Sequence, residues 1–205
     1  MLNLALLILF SYLLGSIPFG FLMGKFAKGV DIREHGSRTI GATNTMRVLG
    51  KGFGVTALLL DVMKGVVPVR LFVGLLGTSV VSPEIAAIIA GFSAVVGHNW
   101  TVFLRFRGGK GVATSAGVFL GIHPAAVGVT FLVFLVGLAI TKMVSVGSMV
   151  GGLALPVTLY LFGAPPTYIA FGAVAAVFAI WRHRENIRRI LQGKENKIGS
   201  KKKET

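Results

Sequence analysis

Six apolar runs, near residues 2–23, 52–77, 85–104, 111–141, 143–162 and 167–181, occupy most of this 205-residue chain. A helix that crosses a bilayer needs about 20 such residues. Charged residues make up only 14%, against about 25% in soluble domains, so no stretch is left for a sizeable soluble domain. The sequence predicts an all-α polytopic membrane protein, with one integral membrane domain over residues 1–193. The basic segment 194–205 is expected to be a disordered, solvated tail. Leu4–Leu14 has the length of a signal-peptide core, but neither a basic segment before it nor a cleavage site after it is present. It is therefore expected to stay as the first helix.

Charge sets the parity of the crossings. Lys25–Lys51 carries six Lys/Arg, the Arg105–Lys110 loop three, and the chain from Arg182 onward nine, whereas connections 78–84 and 163–166 carry none. Placing every basic segment in the cytoplasm puts the N-terminus outside and the C-terminus inside, which requires an odd number. Seven crossings result if the fourth run splits at His123-Pro124, where proline disrupts a helix. The piece Gly111–Ile122 is then short, roughly 18 Å at the helical rise, and needs shielding by its neighbours or a thinned bilayer. The net charge of +14 is explained by topology and anionic headgroups, so no nucleic-acid partner is expected.

Three polar clusters carry chemistry. The stretch "FRGGKGVATS" (Phe106–Ser115) sets Gly108, Gly109, Lys110 and Gly111 directly before an apolar helix. Glycines there let backbone N–H groups turn toward an anion at a helix N-terminus, although the spacing is not that of a Walker A loop. The plain alternative is a basic loop that glycine lets turn tightly. The stretch Arg33–Gly52 adds Ser37, Thr43, Asn44, Arg47 and Lys51, beyond what a topological loop needs; the alternative is a connector capped at Thr43 or Asn44. The third cluster, "WRHRENIRR" (Trp181–Arg189), places His183 and Asn186 on one helical face. A snorkelling basic collar accounts for its arginines but not for the His, Glu and Asn.

Inside the runs, Asp61 and Lys64 are three apart and are expected to pair, because a lone charge in a membrane is expensive. They are read as structural, aligning the loops. His98-Asn99 closes the third run, and Ser145 and Ser148 share a face. Cysteine is absent, which excludes disulfides, thiolate metal sites and a cysteine acyl-enzyme. No His is followed five positions later by Asp, no Gly-x-Ser-x-Gly elbow occurs, and seven acidic residues make a carboxylate metal cluster improbable. Neither metal nor cofactor is expected. A site of this kind suits a substrate that is already activated, because positioning and charge stabilisation then do most of the catalysis.

Four segments, "GSIPFG" at Gly15–Gly20, "GS" and "GATN" between Gly36 and Asn44 with Arg47 following, "GHNWTVFLRFRGGKGVAT" at Gly97–Thr114 and "HRENIRRILQGKE" at His183–Glu195, resemble the PlsY family of bacterial acyl-phosphate:glycerol-3-phosphate acyltransferases. The resemblance implies seven helices, a site facing the cytoplasm of the bacterial inner membrane, and acyl phosphate and glycerol 3-phosphate as substrates. An upstream acyl-phosphate-forming enzyme is the implied partner. It also implies Ser37, Asn44, Arg47, Gly108, Gly109, Lys110, Gly111 and Ser148 as substrate- or phosphate-binding residues, and His183, Asn186 and Lys110 as catalytic. Arg47 and Lys110 would hold phosphate charge, while Ser37, Ser148 and Asn186 would orient the ligands. His183 would orient the attacking hydroxyl or take its proton, a task the family is thought to give to the acyl phosphate itself. Arg38-Thr39 stand where the family commonly has Gly-Asn, and Thr101 where a proline is usual. A membrane carrier for a phosphorylated lipid or small organophosphate competes with this reading, but carriers are built from repeats and none is evident. A structural membrane protein with a basic collar leaves the first loop unexplained.

Overall fold

The structure is a computed structural model that describes residues 1–76 and 80–199. The end of the second run at Gly77, part of the connection beginning at residue 78, and the tail residues 200–205 lie outside the described residues. Those described form helices and connections, with no strand among them. The chain divides into two compact units, Met1–Ile122 and His123–Thr205.

In the first unit, the opening run is two helices rather than one: α1 (Leu2–Ser16) and α2 (Phe19–Lys28) meet at an angle of 41°. Pro18 causes the break. It forces an extended conformation on the residue before it, and Ile17 has φ −60° and ψ 116°. After α3 (Ala42–Leu49) and α4 (Lys51–Val67), Pro68 stands inside a continuing helix. A wider turn at Pro68–Phe72 absorbs it before α5 (Val73–Leu76). Then come α6 (Pro83–Asn99) and α7 (Val112–Ile122). Small residues let the helices close: a Cβ on Gly15 would strike the Ala94 backbone, and one on Gly117 would strike that of Val62.

The second unit holds α8 (Pro124–Thr141), α9 (Val144–Leu161), α10 (Pro166–Arg182) and α11 (Arg184–Leu191). The helix break expected at His123-Pro124 is present. Pro124 occupies the first helical position, where its missing N–H costs nothing, and His123 Nδ1 caps the helix by accepting from Ala126 N at 3.2 Å. Thr130 and Thr158 hydroxyls meet at 3.1 Å between α8 and α9.

Among the described residues, three segments are long and apolar enough to cross a membrane, Pro83–Leu104, Pro124–Thr141 and Val144–Leu161, or four if α1 and α2 count as one bent span. Only 6% of Pro124–Thr141 is buried although its mean hydropathy is 2.2. A helix apolar on all sides with so little protein around it has lipid as its solvent.

The expected solvated tail is held at its start. Glu195 is bonded to three side chains of the second unit, and Ile198 N donates to Lys142 O at 2.8 Å. A buried acceptor with three donors outweighs the polar composition that predicted a loose end.

Candidate functional site

In the first unit, the connection from α2 to α3 is arranged around one side chain. Asn44 is fully buried; its amide nitrogen donates to Ile32 O at 2.8 Å, Thr39 O at 2.8 Å and His35 O at 3.2 Å. Its oxygen accepts from Ser37 N at 2.7 Å. Asn44, expected to bind substrate, thus also ties the loop together through these four hydrogen bonds. Ser37 is half-buried with its hydroxyl 3.3 Å from that of Thr39, and Arg47 is on the exposed side of α3. Arg38, where the family commonly has glycine, has φ +56°. At the entry, Arg33 grips Asp31 at 2.6 Å and lies over the Phe21 ring at 4.7 Å. The Arg33 hydrogen bond holds the Asp31 carboxyl below its ordinary pKa.

The second connection, between α6 and α7, is arranged by main chain. Gly108 N donates to Asn99 O and Gly109 N to His98 O, both at 3.1 Å. A Cβ on Gly108 would run into those carbonyls, and one on Gly109 into the His98 ring. The sequence reading aimed these two N–H groups at an anion; instead they cap the carbonyls that α6 would otherwise leave unpaired. The donors left for an anion come at the start of α7. Its first hydrogen bond runs from Ser115 N to Gly111 O at 2.7 Å, so the N–H groups before Ser115 lie in the turn that lacks intrahelical partners. Gly111 makes the turn at φ +80°, and Lys110 is half-buried beside it. Thr101, which replaces the usual proline, has φ −68° and donates its hydroxyl to Ser16 O, tying this connection to α1.

Beneath that loop lie the buried charges. Lys64 Nζ is 2.9 Å from Asp61 and 2.9 Å from Ile17 O, at the α1–α2 break; His98 Nδ1 is 3.7 Å from the same Asp61 oxygen. All three side chains are at most 4% exposed. The expected Asp61–Lys64 pair is present. Its reach to His98, and so to the α6 end that carries the loop, was invisible in the sequence because it is a contact between distant segments.

In the second unit, His183 sits between α10 and α11, 2% exposed, with Nδ1 2.8 Å from Ala179 O. Because a carbonyl oxygen can only accept, Nδ1 carries a proton and donates it there. Asn186, one turn on and 5% exposed, donates to Glu195 at 2.7 Å. The same carboxylate accepts from Ser145 at 2.7 Å and Arg189 at 2.8 Å. Burial would raise the Glu195 pKa, but these hydrogen bonds outweigh it and hold it below the ordinary value. Ser148 lies one turn along α9 from Ser145, 8% exposed. Trp181 carries Arg184 over its ring at 4.8 Å, consistent with an interfacial anchor. Sequence reasoning missed Glu195 as an organiser; its signal was an acid at the start of a basic segment, read there only as solvation.

A family model described as glycerol-3-phosphate acyltransferase matches residues 5–193. Relatives of that name are similar over almost the full chain: that of Desulforamulus reducens is 42% identical over 197 residues, 96% of each chain. That of Gloeobacter violaceus is 47% identical over 190 residues, 92% of each. Among solved structures, PlsY, an integral membrane glycerol 3-phosphate acyltransferase, is similar in its glycerol 3-phosphate form with TM-score 0.87 and 39% identity over 96% of both chains. Its lysophosphatidic acid form is similar with TM-score 0.85 and 38% identity over 96% of this chain and 95% of that one.

Proposed function

Because the chain belongs to the glycerol-3-phosphate acyltransferase family, we propose that it transfers an acyl group from acyl phosphate to the sn-1 hydroxyl of glycerol 3-phosphate. The products are 1-acyl-glycerol 3-phosphate and inorganic phosphate. The observation that carries this reading is the near full-length likeness to a relative solved in glycerol 3-phosphate and lysophosphatidic acid forms. The polar groups suit it. Lys110, Gly111 and the first turn of α7 offer cationic charge and N–H groups to a phosphoryl group, and Arg47 offers a second cation. Ser37, Ser148 and Asn186 orient the ligands.

The hydroxyl oxygen attacks the acyl carbon, the bond from that carbon to the phosphate oxygen breaks, and the hydroxyl proton leaves with phosphate. His183 orients the hydroxyl or relays the proton. An acyl phosphate carries its own leaving group, so charge stabilisation and alignment supply most of the rate. The acyl phosphate comes from an upstream acyl-phosphate-forming enzyme.

Phosphate release from the purified protein in lipid, given palmitoyl phosphate with and without glycerol 3-phosphate, tests the reading. Release should depend on glycerol 3-phosphate, fall at least 100-fold in Lys110→Ala, and persist in part in His183→Ala. No release from folded wild type sinks the enzyme and favours the carrier.

The seven-crossing arrangement, with the N-terminus outside and the site facing the cytoplasm of the bacterial inner membrane, belongs to the same proposal. The chain has no cysteine, so single cysteines report cleanly. Thiols at Arg38 and Lys197 should be labelled only after the membrane is opened, and one at Gly163 from outside. Labelling of positions 38 and 163 from the same side overturns the arrangement.

A further inference from the structure

Asn99 ends α6 with its side chain 1% exposed, and neither the nitrogen nor the oxygen of its carboxamide has a hydrogen-bond partner among the described residues. Such a group costs about 1–3 kcal/mol when buried, and native proteins rarely keep one without a use for it. Its position is specific. A Cβ on Gly111 would sit 2.9 Å from Asn99 Nδ2 and 3.2 Å from Oδ1. The carboxamide therefore faces the residue that precedes α7, at a backbone position with φ +80° where glycine alone leaves it room. Its own main-chain oxygen holds Gly108 N. Thr114, in the first turn of α7, is also fully buried, and its hydroxyl also has no hydrogen-bond partner among the described residues.

A purely structural asparagine looks different, and Asn44 in the same unit is the comparison: equally buried, with both amide atoms engaged. We infer that Asn99 is a positioning residue for a phosphoryl group held at the N-terminus of α7, its carboxamide pairing with the Gly111 segment only when that anion is bound. The two states differ in one respect. Without the anion the carboxamide is an unpaired buried group, and with it the loop peptide turns to meet the phosphate and offers Asn99 a partner. Binding is thereby coupled to the conformation in which the Asn99 carboxamide has a partner. The naming of that phosphate as a substrate's rests on the proposed function; the anion site itself does not.

The coupling predicts an unusual pair of effects. Asn99→Leu keeps the branched shape and removes the unpaired group, so ligand-free protein in detergent should melt at the same temperature as wild type or higher. The upward shift of melting temperature that glycerol 3-phosphate or inorganic phosphate gives wild type should largely disappear. In the acyl-transfer assay KM for a phosphorylated substrate should rise roughly tenfold or more, with a smaller change in kcat. Asn99→Ala, which leaves a small cavity instead, should show the same KM rise and lost ligand shift even if its stability falls.

An unchanged ligand shift in the folded variants, or unchanged KM for both substrates, overturns the inference and makes Asn99 a packing residue. The proposed activity fails separately: wild type that melts higher with glycerol 3-phosphate but releases no phosphate from palmitoyl phosphate keeps the anion site and loses the reaction.

Discussion

The two polar connections of the first unit both join glycines to cations, yet they have opposite constructions. The one between α2 and α3 hangs on a side chain, because Asn44 supplies its hydrogen bonds and the surrounding backbone follows. The one between α6 and α7 hangs on main chain, because two glycine N–H groups settle on the carbonyls at the end of a helix. A side-chain hub concentrates its energy in one replaceable group. A main-chain strap tolerates changes of neighbouring side chains but not the addition of a single carbon.

The largest effect should therefore come from Asn44→Ala. It orphans the buried carbonyl of Ile32 and releases Thr39 and Ser37, at a cost of about 3 kcal/mol. Thermal unfolding should show a drop of several degrees, and transferase activity should be nearly lost. If Asn44→Ala is as stable as wild type, the hub description is wrong. Next comes Gly108→Ala, whose Cβ meets backbone that has nowhere to go. Overpacking of this kind costs about 1–3 kcal/mol, and here it should raise KM for glycerol 3-phosphate more than it lowers stability. Equal losses in both would make the strap a folding element and nothing more.

Glu195 tests whether the second unit follows the side-chain pattern. Glu195→Ala frees Asn186, Ser145 and Arg189 together, and should reduce kcat about tenfold while loosening residues 194–198 to protease. Because its folded pKa is depressed, the stabilisation from Glu195 is present above the ordinary carboxylate range and lost as pH falls through the folded value. Wild type should therefore lose more melting temperature than Glu195→Gln between pH 5 and pH 3, both marks being roughly the ordinary carboxylate range. Smallest is Arg38→Gly. The left-handed conformation costs a non-glycine residue about 1 kcal/mol, so relief of φ +56° should raise stability by that order and leave KM unaltered.

What the sequence conveyed follows from the range over which each signal acts. Apolar length and proline position are local, so the helical class, the His123-Pro124 break and the Asp61–Lys64 pair could all be read. Pro18 was equally local but stood inside an apolar run that a hydropathy count treats as one piece. Lys110, Arg47 and His183 drew notice through residue type and motif, which are local signals as well. The direction of an N–H group is not encoded by residue type, and so Gly108 and Gly109 were given the wrong partner. The loop bonds of Asn44 were hidden for the same reason, since an amide that builds a loop and one that binds a ligand are the same letter. Asn99 and Glu195 matter through contacts with residues 12 and 50 positions away, and no pattern along the chain reports those.

The strap of Gly108 and Gly109 across the end of α6 also settles an electrical problem. α6 ends at Asn99 and α7 begins at Val112, so the partial negative pole of one helix is brought close to the partial positive pole of the next. An anion drawn to the second would feel the first as repulsion. Two glycine N–H groups laid over the α6 carbonyls act as a shield, screening the repelling pole and leaving the attracting one uncovered.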